Sequence, residues 1–158
     1  MKVKLCLLSI YSALLCITVV SCNNETKGGD DVTKLATELA TNFATDYFNY
    51  KLDKAASCCT TEAKEQIYYL ATNLTEEDVS ILRDKKEAAT CEVDGIRLIN
   101  DSCAEATCII KDSYIKDTIG TRGKVWDKRN YSILIVRTGN KWLIRKVSQL
   151  QNEKPSHG

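Results

Sequence analysis

The hydrophobic pattern of this chain changes its period near residue 90, and that change limits the fold more than any other feature of the sequence. Before it, Val32, Leu35, Ala36, Leu39, Phe43, Tyr47 and Tyr50 recur at three- and four-residue steps, with Thr, Lys, Glu and Asn between them. This is the spacing of one face of a long amphipathic helix. Asp53 is placed to cap a second, short helix carrying Ala55, Ala56 and Cys59, and Thr61 to cap a third that runs to Tyr69 or Leu70. Thr75-Glu76-Glu77-Asp78 starts a further helical turn, with Val79 and Leu82 on its apolar side. From Cys91 onward the residues are β-branched and alternating, over 93–100, 104–115, 124–137 and 141–150, which predicts four strands in an antiparallel meander. Gly139-Asn140 is a two-residue hairpin signal that sets Thr138 opposite Lys141 and Ile135 opposite Ile144. The first hairpin registers with Asn100 opposite Ala104, placing Leu98 beside Ala106 and Ile96 beside Cys108. Helices first and strands last make an α+β fold, N-terminal helices packed on a curved four-stranded antiparallel sheet.

The ends of the chain differ from its middle. Lys2 and Lys4 precede a sixteen-residue stretch, 5–20, without a charge, which is the core of an export signal and short for a membrane span. Residues 23–31, Asn-Asn-Glu-Thr-Lys-Gly-Gly-Asp-Asp, hold no apolar side chain, so 22–30 reads as a flexible tether. One domain then covers 31–150, followed by a disordered polar tail at 151–158 that carries Pro155, the single proline. Removing residues 1–21 takes two lysines and no acid from a chain of 22 basic and 21 acidic residues. The near-neutral remainder argues against nucleic acid as a partner.

Two resemblances follow from these residues. Ile17-Thr18-Val19-Val20-Ser21-Cys22 resembles the lipobox of bacterial lipoproteins, which implies acylation of Cys22 and a lipid anchor in the cell envelope. An uncleaved helix or an ordinary secretory signal is the alternative. No Asp follows Cys22, and under the sorting rule of Gram-negative lipoproteins the resemblance implies the outer membrane. The order of elements, with the stretch from Phe43 to Ala56 and the closing Gly139-Asn140-Lys141-Trp142-Leu143-Ile144, resembles the cystatin-like cone of nuclear transport factor two and ketosteroid isomerase relatives. Within that superfamily it is similar to small lipoproteins of unknown function grouped with lumazine-binding-like domains. The resemblance covers about 31–150 and carries no catalytic signature.

Five cysteines remain beyond Cys22: Cys58, Cys59, Cys91, Cys103 and Cys108. Cys103 and Cys108 lie five residues apart on one strand and cannot bond, because strands rise about 3.3 Å per residue and bridged Cα atoms lie about 4.4–6.8 Å apart. In the register above, Cys91 is roughly 16 Å along the strand from the residue facing Cys108. A vicinal Cys58–Cys59 ring is strained. What remains is a helix-to-sheet bridge from Cys58 or Cys59 to Cys91 or Cys108, with Cys59–Cys108 as the expected pair, or no bridge and small buried thiols.

Catalytic chemistry has few carriers. The one histidine, His157, sits in the tail, and the cysteines lack metal-ligand spacing, so neither a metal nor another cofactor is expected. There is no Gly-rich phosphate loop and no serine elbow. Asp117-Thr118-Ile119 looks like an O-glycosylation acceptor of some Gram-negative lipoproteins. The candidate pocket is Tyr47, Tyr50, Tyr69, Asp112, Tyr114 and Trp126, aromatic walls with polar tips suited to a small planar or amphipathic ligand. The same aromatics also fit a filled core. A lipid-anchored, non-enzymatic envelope protein binding a small ligand or an envelope protein is the leading expectation. The alternative is a small cone-fold isomerase, hydrolase or dehydratase using Asp112 and a Tyr. Residues 132–136 are apolar on both strand faces, so a homodimer through the sheet is a further expectation.

Overall fold

The computed structural model describes residues 26–117 and 120–151. Cys22, the export segment, Thr118 and His157 lie outside them. Four helices, α1 (Thr26–Phe48), α2 (Leu52–Ser57), α3 (Thr61–Thr72) and α4 (Glu76–Asp84), precede four strands, β1 (Thr90–Asn100), β2 (Cys103–Ile115), β3 (Lys124–Thr138) and β4 (Lys141–Gln149). The strands form one antiparallel sheet in the order β1-β2-β3-β4, so the fold is α+β as expected. Helix α1 begins at Thr26, four residues inside the stretch expected to be a tether.

One face of the sheet carries the core. Ala104, Ala106, Cys108 and Ile110 on β2, Ile133 and Ile135 on β3 and Ile144 on β4 are fully buried against Ala36, Ala40, Phe43, Ala44 and Phe48 of α1. Alanines on both sides let the helix lie close to the strands, and the aromatic rings fill the wider end. The other face is less apolar than its sequence suggested. Leu134 and Val136 are half-buried there, but Ser132 and Arg97 both hydrogen-bond to Glu105 between them.

Helix starts differ from the sequence reading in instructive ways. Lys51, not Asp53, precedes α2 and gives no side-chain cap. Thr60, not Thr61, caps α3 by accepting from the Ala63 amide. In α4 the buried residue is Asp78, while Val79 is 43% exposed. Thr75 and Asp78 form a reciprocal capping box, which draws the carboxylate inward and turns the valine out.

The Gly139-Asn140 hairpin has the expected register, with Thr138 opposite Lys141 and Ile135 opposite Ile144. The first hairpin does not. Asn100 pairs with Cys103, Leu98 with Ala104 and Ile96 with Ala106. The Asn100 carboxamide accepts from the Ser102 amide at 2.9 Å, an Asx turn that tightens the connection to two residues. Two irregularities, between Leu98 and Asn100 and between Val93 and Gly95, then place one extra residue each on β1. Beyond the second, Val93 faces Cys108 and Cys91 faces Ile110. The gap of roughly 16 Å expected between Cys91 and Cys108 therefore does not exist.

Candidate functional site

The end of α1 makes one wall of a cavity. The helix stops at Phe48, and Tyr50 takes a left-handed conformation (φ 58°), with its amide donating to the Tyr47 carbonyl and the Lys51 amide to Asp46. Such a conformation is strained for a bulky side chain, and contacts on both sides hold it. The Tyr50 hydroxyl donates to the Tyr114 carbonyl at 3.0 Å, and Asn49 clamps Ala89 by donating to its carbonyl and accepting from its amide.

The cavity has a volume of about 230 Å³. Tyr47, Phe48, Tyr50, Tyr114 and Tyr131 supply its aromatic wall, Leu70, Ile115 and Val147 its aliphatic one, and Lys116, Asp117 and Gln149 its polar rim. Phe48 packs tilted on Tyr131 with centroids 4.7 Å apart and edge-on to Tyr47 at 5.0 Å. Burial pushes the Tyr47 phenol up to about 12 and raises those of Tyr50 and Tyr131, so these hydroxyls stay protonated donors near neutral pH.

Beneath the cavity lies a buried ion pair. Asp78 is 0% exposed, accepts from the Tyr114 hydroxyl at 2.5 Å and meets the Lys116 ammonium at 2.5 Å, whose side chain is 3% exposed. Burial opposes the Asp78 charge, but hydrogen bonds from Lys116, Tyr114 and Thr75 outweigh it and hold the carboxyl well below the usual range. Burial and the hydrogen bond to Asp78 push the Tyr114 phenol up to about 12. The Tyr114 oxygen also accepts from the Gly123 amide at 3.0 Å. A Cβ at Gly123 would come within 2.5 Å of the Tyr114 ring, so the loop closes over the phenol only with glycine there.

At the rim, the Arg129 guanidinium donates to both carboxylate oxygens of Asp117, at 2.7 and 3.2 Å, and to Gln149 at 3.0 Å. It also lies 3.5 Å over the Trp126 ring. Both acids near the cavity, Asp78 and Asp117, are thus committed to cations.

Of the six residues expected in a pocket, the structure brings Tyr47, Tyr50 and Tyr114 together. Tyr69 is 59% exposed on α3, and Trp126 sits under Arg129 rather than in the lining. Asp112 does not line the cavity either. It has a left-handed backbone (φ 52°) where the β2–β3 ladder is interrupted between Lys111 and Ser113, opposite a matching gap at Asp127. Tyr114, two residues further along β2, keeps its proton and donates a hydrogen bond to Asp78. Cys59 and Cys108 are free thiols, and Cys59 donates to the Ala55 carbonyl at 3.2 Å. The residues that sequence reasoning missed are Asp78, Lys116 and Arg129. The Thr75-x-x-Asp78 spacing was the one local signal for the first of them.

Among the described residues no group of His, Cys, Asp and Glu is placed to hold a metal ion, and no helix is long and apolar enough to cross a membrane. A second, more open depression of about 410 Å³ lies between α1, α2 and the β3–β4 hairpin, lined by Leu35, Leu39, Cys58, Trp142 and Leu143.

No family model and no curated relative matches the chain. Among solved structures it is similar to an NTF-2 like protein of unknown function from Shewanella oneidensis MR-1, at 10% identity over 77% of this chain and 97% of that one, with a TM-score of 0.48. It is similar also to a putative calcium/calmodulin dependent protein kinase II association domain from Xanthomonas campestris, at 16% identity, 76% and 88% coverage and a TM-score of 0.44. An Ntf2 like protein involved in plasmid conjugation aligns at 11% identity over 79% of this chain and 51% of its own, with a TM-score of 0.36.

Proposed function

We propose that this chain is a binding domain of the cell envelope, held by a lipid on Cys22, whose cavity takes a small, flat ligand with an apolar body and a polar edge. The observation that carries this reading is the pairing of the aromatic wall with nearby acids, Asp117 at the rim and Asp78 beneath it, that are both neutralised. Tyr47, Phe48, Tyr50 and Tyr131 offer ring faces and protonated hydroxyls, while Asp117 is tied to Arg129 and Asp78 to Lys116. General base catalysis needs a group poised near the working pH, and the described residues around the cavity present raised phenols and a depressed carboxyl instead. At about 230 Å³ the space suits one or two fused rings rather than a drug-sized molecule.

Native mass spectrometry of the full chain extracted from membranes tests both parts. A non-covalent adduct of a few hundred daltons or less, lost in a Val147→Trp variant whose circular dichroism is unchanged, supports the ligand. The same protein without any adduct, and with tyrosine fluorescence unmoved by titrated indole, overturns it. An N-terminal fragment that begins at Cys22 with the added mass of acyl chains supports the anchor, and one that begins at Asn23 or later removes it.

A further inference from the structure

We propose that Cys91 and Cys108 are a dithiol that closes to a disulfide between β1 and β2. The register is the ground for it. Cys91 pairs with Ile110 and Cys108 with Val93, so the two cysteines are diagonal neighbours on the helix-facing side of adjacent antiparallel strands. Diagonal positions lie about 7–8 Å apart at Cα, just beyond the span of a disulfide, with the Cβ atoms somewhat closer. Here both thiols belong to the same core cluster, Cys108 fully buried in it and Cys91 packed against it.

Closing the bond needs about an ångström of backbone movement, and β1 is the element able to supply it. It is an edge strand, hydrogen-bonded on one side only, and the irregularity between Val93 and Gly95 loosens it next to Cys91. The other close pair is worse placed. Cys58 and Cys59 both donate to the Ala55 carbonyl at the end of α2, and their adjacent Cα atoms are too near for an unstrained ring. Cys103 lies on the opposite face of the sheet from Cys108, an odd number of residues away on the same strand.

Access orders the chemistry. Cys91 is half-buried and Cys108 fully buried, and the neighbouring Cys108 thiol lowers the Cys91 thiol from its usual value while Cys91 and burial raise that of Cys108. With a small disulfide as oxidant, the Cys91 thiolate attacks one sulfur of the reagent, forming a mixed disulfide and expelling one thiolate. Cys108 then gives up its proton and attacks the Cys91 sulfur, breaking the mixed disulfide and expelling the second thiolate. Two protein thiols lose two electrons, the reagent disulfide is reduced by two electrons, and the two protons leave on the two thiols released.

The test is incubation of the folded full chain with glutathione disulfide, blocking of residual thiols, and digestion after Lys, Arg and Glu without reduction. Cleavage after Glu105 separates Cys103 from Cys108, so the expected product is peptide 88–92 joined to peptide 106–111. Cys91→Ser should abolish it and leave Cys108 to be alkylated on unfolding, and if Cys108→Ser fails to fold, the Cys91 variant alone decides. Glutathione retained on Cys91 with Cys108 still reduced would overturn the proposal. So would a linkage of either cysteine to Cys58, Cys59 or Cys103. None of these results bears on the cavity, whose lining contains neither residue.

Discussion

Replacing Asp78 by Asn should destabilise the domain by about 3 kcal/mol. The substitution keeps the shape of the side chain and removes its charge, leaving the Lys116 ammonium, 3% exposed, without its anion. Removing one partner of a buried ion pair typically costs about 3–5 kcal/mol, because the survivor stays desolvated and uncompensated. The single carboxamide oxygen can still accept from one of the two donors on opposite carboxylate oxygens, the Tyr114 hydroxyl or the Thr75 amide, which keeps the figure near the lower end. With a urea m-value of about 2 kcal/mol/M, the unfolding midpoint should fall by roughly 1.5 M. A double variant, Asp78→Asn with Lys116→Met, should recover about 2 kcal/mol of that loss, since a buried pair exchanged for apolar or neutral groups is often tolerated. The acid limb gives a second reading. The Asp78 carboxyl titrates lower in the folded chain than unfolded, so its contribution is complete above about pH 4 and is lost as pH falls below that. The Asn variant should show a flatter stability profile there. A midpoint shift under about 0.5 M in the single variant, or none regained in the double, would refute a buried, charge-dependent pair.

Three further outcomes follow from the same geometry. Gly123→Ala should cost about 2–3 kcal/mol by thermal or urea unfolding, since its Cβ would strike the Tyr114 ring and the Ile115 carbonyl; a loss below about 0.5 kcal/mol would mean the loop has room. Asp112→Val, which would extend the apolar alternation of β2, should instead destabilise by about 1–2 kcal/mol because a β-branched residue is strained at φ 52°, while Asp112→Asn should be nearly neutral by the same measurement. Asn49→Ala should cost about 2 kcal/mol and speed amide exchange at Ala89, as both halves of its clamp are lost together.

The parts of this structure legible in the sequence were those set by local periodicity. The helical face of α1, the four strands and the Gly139-Asn140 turn each follow from spacing within one segment. The register of the first hairpin was not legible, because it depends on two irregularities in β1 that carry no proline or Asn-Gly signal, although Gly95 stands at one of them. A single extra residue there turned Cys91 from the outer face to the inner and changed which cysteines meet. The candidate site divides in the same way. Tyr47 and Tyr50 could be placed from the end of the first helix, and Tyr114 from the alternation of β2. Asp78 could not, since its partners Tyr114 and Lys116 lie 36 and 38 residues away and the valine beside it satisfied the helical pattern better.

The length of α1 has a spatial consequence. Its 23 residues span roughly 34 Å, from Thr26 at one pole of the domain to Phe48 at the wall of the cavity. A chain gripped by its N-terminal end is therefore gripped at the far end of a rigid spar, with the tyrosine-lined mouth carried outward. The distance between Thr26 and the cavity wall is set by a helix packed along its own sheet, and it does not depend on the residues before Thr26.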